Sequence, residues 1–167
     1  MPLWLLSFVN AGVKAVEQID NFNNKYVFIA VNEGNNFITL NKWADNFSAS
    51  KDSAIMIAAR IEERMILTAS LYPDNEYGMF YETFMKNAFG TEFVNVIKED
   101  TYWFRRSNTP NAYSFFILLT IERNMMQTVI RSMMSQANTT SNNSSPGLTN
   151  SQAASVNRLR QTFFEGF

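Results

Sequence analysis

The run Tyr113-Ser-Phe-Phe-Ile-Leu-Leu-Thr-Ile121 constrains the fold most. It is uncharged and rich in β-branched and aromatic residues, the signature of a strand buried on both faces. Before it, Phe93 to Phe104 alternates well enough for a long strand, and the polar stretch Arg105 to Ala112 between them, with Pro110, is a loop. These two strands form an antiparallel hairpin. A third strand is legible in Lys25-Tyr-Val-Phe-Ile-Ala-Val31, which ends at Asn32-Glu-Gly34. The expected class is therefore α+β, with a small antiparallel sheet of about three strands.

Helical periodicity fills the rest. Phe37, Leu40, Trp43, Ala44 and Phe47 fall at helical spacing, although Phe37-Ile-Thr-Leu40 also suits an extended chain. Ser48 or Ser50 can cap a following helix whose inner face carries Ala54, Ala58, Ile61 and Met65. Tyr72 to Gly78 interrupts it, Asp74 or Asn75 can cap a second helix through Phe80, Phe84 and Ala88, and Gly90 is a natural stop. Both helices are expected to pack on one face of the sheet. A third, Met-striped helix follows Asn124 with Met125, Met126, Val129, Ile130, Met133 and Met134. The expected organisation is an α+β domain over residues 1–136, a flexible Asn/Ser/Thr linker over 137–152 and an amphipathic terminal helix over 153–167.

Composition excludes much chemistry. With no Cys and no His, thiolate nucleophiles, imidazole bases and the usual zinc sites are impossible. A formal charge of −1 offers no basic field for nucleic acid. The apolar opening Met1 to Val9 is too short to span a bilayer and lacks the basic start of a signal peptide. The acidic clusters are Glu62-Glu63, Glu99-Asp100 and Asp74 with Glu76; none has the spacing that sets two carboxylates across a cleft. Asp74-Asn75-Glu76 lacks the regular ligand spacing of a calcium loop. No enzyme activity, cofactor or metal is expected.

Two surfaces remain as candidates. Met126 and Met133 on the third helix, with Leu159, Phe163 and Phe164 on the terminal helix, form an expected protein interface, the tail acting as an arm that reaches a neighbour. Trp43 and Trp103, with Arg105 and Arg106 beside the second ring, are candidate ligand contacts.

Taken together, Pro2-x-Trp4, the Tyr26 to Val31 strand closing on Glu33-Gly34, the helix ending Ala58-Ala-Arg-Ile61, Asp100-Thr-Tyr-Trp103 and Tyr113 to Leu119 resemble the Lpp-twenty family of bacterial outer-membrane lipoproteins over about residues 2–135. The resemblance implies a non-catalytic structural or scaffolding protein of the cell envelope, periplasmic and at the outer membrane. It also implies association with itself or another envelope protein, in a family that contains a flagellar basal-disk component. The family's lipid-carrying Cys is absent, so membrane contact is expected only through an anchor outside this chain or through the terminal helix. The alternative expectation is a periplasmic module that binds a glycan or small apolar ligand.

Overall fold

The computed structural model describes the backbone of residues 1–71, 78–144 and 150–167, and side chains there except at 78–79, 138–144 and 150–152. It is α+β, with one three-stranded antiparallel sheet in the order β1-β3-β2. The strands are β1 (Lys25–Gly34), β2 (Ile97–Arg105) and β3 (Tyr113–Glu122). The helices are α1 (Leu3–Ala11), α2 (Val13–Val16), α3 (Phe37–Asn46), α4 (Ala54–Ser70), α5 (Gly78–Phe89), α6 (Arg123–Ser144) and α7 (Asn150–Glu165). By contacts the chain forms two compact units: Met1–Ser53 with Glu92–Met126, and Ala54–Thr91 with Gln127–Phe167.

In the first unit β3 lies between the other two strands, and its eight inner residues, Ser114 to Ile121, are all buried. That is the uncharged run singled out above. The register pairs Tyr26 with Ile121 and Gly34 with Tyr113 on one side, and Ile97 with Thr120 and Arg105 with Tyr113 on the other. One sheet face carries Val27, Ile29, Phe116 and Leu118, and α1 and α2 supply Trp4, Leu5 and Val16 to the same cluster. The Trp4 indole donates to Asp100 Oδ2 at 2.8 Å, which ties α1 to β2. Glu17, buried after α2, accepts from the outward-facing Val27 N–H at 3.0 Å and so covers part of the free edge of β1. At the hairpin tip Asn111 takes φ 56°, a left-handed conformation that Asn adopts more readily than most residues.

Glu99 is the extra residue of a bulge between Lys98 and Asp100 in β2. Its carboxylate accepts from Lys25 Nζ at 2.8 Å and from Thr120 Oγ1 at 2.6 Å, so one side chain links all three strands. These two hydrogen bonds, against a smaller opposing effect of burial, hold its pKa below the ordinary value. A depressed carboxylate contributes stability above its unfolded pKa, about 4.3, and loses it as pH falls through the lower folded value. The melting temperature should therefore fall with acidification below about pH 4. In Glu99→Gln that fall should be shallower, and identical slopes would show that this tie does not sense pH.

Among the described residues, the regular structure of the second unit is all helical. Ile57, Ala58, Ile61 and Met65 line the buried side of α4, and Phe80, Phe84, Met85 and Ala88 that of α5. Phe84 meets Phe163 of α7 edge-on at 6.2 Å, and Thr91, just after α5, sits 3.7 Å from the Met133 sulfur of α6. Two arginines of α4 hold the end of α7. Arg64 donates to the carbonyls of Phe163, at 2.8 Å, and of Thr162, while Arg60 donates to Phe167 O at 2.7 Å. The last carbonyls of a helix lack partners within the helix and carry its negative end, so paired guanidiniums are apt caps. A Cβ at Gly166 would fall 2.8 Å from the Arg64 guanidinium, so glycine permits this close approach.

Three differences from the sequence reading stand out. The segment before β1, to which periodicity assigns no element, is helical. β2 begins at Ile97 instead of Phe93; Phe93 and Val96 are buried in the turn before it. And α6 runs on to Ser144, through residues assigned to the linker, while α7 starts at Asn150. Extending an existing helix fixes one residue per added hydrogen bond, whereas nucleating one fixes several, so weak helix formers can be carried along. Residues 145–149, which include Pro146-Gly147, lie outside the described residues, as do the Asp74, Asn75 and Glu76 positions.

Candidate functional site

The terminal residues expected to reach a neighbour are inside their own chain. Met126, Met133, Leu159 and Phe163 are all buried, and only Phe164 keeps part of its surface. The interface assignment is thereby corrected. The amphipathic face of α7 is covered in cis: Phe163 contacts Phe84, Phe164 and Phe167, and Phe164 lies under the Arg131 guanidinium at 4.7 Å. An apolar stripe cannot by itself tell a partner chain from a neighbouring helix.

The ligand contacts separate into two places. Trp103 packs in an aromatic cluster with Phe37 at 4.7 Å, edge-on, and Phe115 at 5.9 Å, stacked, and stays 44% exposed. Arg106 pairs with Glu33 at 3.3 Å, and Glu33 also accepts from Ser114 Oγ at 2.7 Å. Arg105 reaches Asn111 at 3.5 Å across the loop. Arg105 thus braces the hairpin loop and Arg106 ties it to β1, and neither they nor Trp103 line the groove that holds Trp43.

That groove is built by α3 and the loop after it. Asn36 caps the helix by accepting from the Thr39 N–H at 3.0 Å. Leu40 and Ala44 are buried on the inner side, which turns Thr39, Lys42, Trp43 and Asn46 outward as one stripe at i, i+3, i+4 and i+7. The far end is held by Lys98 of β2, whose ammonium donates to Ala44 O. At Phe47 the chain turns extended, and the next loop is pinned twice: Ser48 N donates to Asp52 Oδ2 at 2.7 Å, and Asp52 N to Ser48 O at 2.9 Å. Phe47 and Asp52 close the groove, with a volume of about 530 Å³. This lies within the range of about 300–1,000 Å³ typical of small-molecule sites.

Its chemistry is specific. The Trp43 and Phe47 rings meet edge-on at 5.6 Å, so each ring braces the other. Neither the Trp43 indole N–H nor the second oxygen of Asp52 has a hydrogen-bond partner among the described residues. Around the ring stand a hydroxyl, an amide, an ammonium and a carboxylate, from Thr39, Asn46, Lys42 and Asp52. The site offers a flat apolar face ringed by both donors and acceptors, with the single positive and negative charges offsetting each other. Sequence spacing aligns Trp43 with Phe47, and of the groove residues only Trp43 is an expected ligand contact. The rest of the α3 stripe was readable once residues 37–46 were taken as helix, whereas Asp52 arrives through a loop turn that periodicity does not reveal.

The Glu99-Asp100 pair is taken up by structural contacts. Glu99 is committed to Lys25 and Thr120, and Asp100 to Trp4 and the Thr101 N–H. Among the described residues no group of three acidic side chains is placed to hold a metal ion. Among the described residues no helix is long and apolar enough to cross a membrane. No family model matches the chain, and no curated protein or solved structure is significantly similar to it.

Proposed function

We propose that this chain is a non-catalytic binding protein that takes a neutral or N-acetylated glycan in the α3 groove. The observation that carries this reading is the half-buried Trp43, braced by Phe47 and set among Thr39, Lys42, Asn46 and Asp52. A sugar ring has a C–H face that lies flat on an aromatic ring and an equator of hydroxyls that both donate and accept. Its needs therefore match a ring with mixed polar groups at the rim. A nucleobase would use the same ring, but the phosphates attached to it would meet Asp52 and only one lysine. An envelope setting, which the resemblance implies, is rich in such glycans. Binding of chitotetraose and maltotetraose by calorimetry is the test. Trp43→Ala should abolish the heat of binding with circular dichroism unchanged, and Trp103→Ala should leave it intact. Equal affinity in Trp43→Ala would reject the groove.

A second reading concerns the structural, self-associating role, and it moves to a different surface. Helix α1 carries apolar residues on both its sides: Trp4 and Leu5 face the sheet, while Leu3, Leu6 and Val9, interrupted by Ser7 and Asn10, are 65%, 47% and 59% exposed on the outer side. Three large apolar side chains exposed on one helix side are a common mark of an interaction surface. We propose that a second copy of the chain covers this outer stripe, α1 against α1. Light scattering should show a dimer that Leu6→Glu converts to monomer without loss of secondary structure. A wild-type protein that stays monomeric at the highest attainable concentration would contradict this reading.

A further inference from the structure

The helical unit carries a second polar groove, lined by Arg131 of α6 and by Asn157, Arg160, Gln161 and Phe164 of α7, with a volume of about 490 Å³. The four α7 residues fall at i, i+3, i+4 and i+7, so they form one stripe, and Arg131 stands across from it. We propose that this groove binds a phosphate group carried on a larger molecule.

The two arginines of this groove differ from Arg60, Arg64, Arg106 and Arg123 in what they touch. Arg131 stacks on the Phe164 ring at 4.7 Å, a contact that orients the guanidinium plane and leaves its N–H edges free for a ligand. Neither Arg131 nor Arg160 has a carboxylate partner among the described residues, whereas Arg106 and Arg123 are each paired with a glutamate. The contrast with Arg60 and Arg64 is equally clear, since both of those spend their donors on α7 carbonyls. Two unneutralised guanidiniums facing one cavity repel each other until an anion enters. Each offers a planar fork of donors that matches two oxygens of a tetrahedral oxyanion. The Asn157 and Gln161 amides add neutral donors on the same stripe. A dianionic phosphate satisfies two cations better than a monocarboxylate does. The cavity is far larger than a bare ion needs, a single water occupying about 30 Å³ in the liquid, so the phosphate is expected to bring an organic body with it.

The same phosphate chemistry comes in two forms, a soluble phosphomonoester or a lipid headgroup, and the test separates them. The full chain is titrated with glycerol 3-phosphate while the arginine Nε–Hε resonances are followed by NMR, and in parallel it is sedimented with phosphatidic acid vesicles and with phosphatidylcholine vesicles. Saturable shifts at Arg131 and Arg160 with glycerol 3-phosphate support a soluble ligand. Sedimentation with phosphatidic acid alone, lost in Arg160→Gln, supports the headgroup. In either case Arg160→Gln should weaken binding by about tenfold or more. Arg131→Lys, which keeps the charge but removes the fork, should weaken it as well. Both variants should keep the wild-type circular dichroism. Should Arg131→Lys unfold, Arg160→Gln decides the matter alone, since Arg160 makes no hydrogen bond, ion pair or ring contact among the described residues. Saturation by acetate at the same concentration as the phosphomonoester would overturn the assignment to phosphate. So would binding that is unchanged in Arg160→Gln, or no saturable response in either arm.

Discussion

Deleting residues 153–167 is expected to unfold the helical unit instead of freeing an arm. The deleted segment buries Val156, Leu159, Phe163 and Phe167. At about 1.5–3 kcal/mol for each large apolar side chain, these four supply roughly 6–12 kcal/mol before the cost of ordering. That is comparable with the whole stability of an ordinary domain, about 5–15 kcal/mol. Removing them also exposes Phe84 and leaves the Arg60 and Arg64 guanidiniums without their carbonyl acceptors. Far-ultraviolet circular dichroism should lose far more helix than the segment itself contains, and the remaining chain should bind a hydrophobic dye. A truncated chain whose melting temperature stays within a few degrees of the parent would show that α7 does not belong to this core.

The second large effect is expected from charge in the α6 stripe. Met126 has no exposed surface and Met133 only 4%. A carboxylate placed at either site is taken out of water, and burying a charge without a partner costs several kcal/mol. Met126→Glu and Met133→Glu should each unfold the protein or lower its melting temperature steeply, with partial recovery in acid as the new carboxyl protonates. Met133→Leu keeps volume and polarity and should cost less than about 1.5 kcal/mol. If both glutamate variants stay folded while changing only the size of an oligomer, the methionines face a partner after all.

Much of the first unit was legible because its strands follow simple rules. Tyr113 to Ile121 is uncharged since both of its faces and both of its edges are covered, and Lys25 to Val31 and the hairpin turn carry ordinary strand and loop chemistry. The opening helix was not legible. Trp4, Leu5 and Phe8 point inward, but Leu3, Leu6 and Val9 are apolar too, so Ser7 and Asn10 alone give only a weak polar side to mark a period. The terminal helix was read correctly as amphipathic and wrongly as an arm, because its apolar stripe is the same whether α4 and α5 or another chain covers it. What decides is tertiary: Arg60 and Arg64 lie about a hundred residues from the carbonyls they cap. The groove was half visible. Helical spacing offered Trp43, and only the fold could bring Asp52 beside it and take Trp103 away.

The most direct test of the central claim uses the three tryptophans, Trp4, Trp43 and Trp103, whose indole N–H groups sit in different surroundings. Trp4 donates to Asp100, Trp103 packs on Phe37 and Phe115, and Trp43 faces the groove. In a ¹⁵N-resolved NMR titration with chitotetraose or maltotetraose, the Trp43 indole signal should move and saturate while the Trp4 and Trp103 signals stay in place. A saturable shift at Trp103 with Trp43 unmoved, or no shift at any indole up to millimolar sugar, would contradict glycan binding at α3.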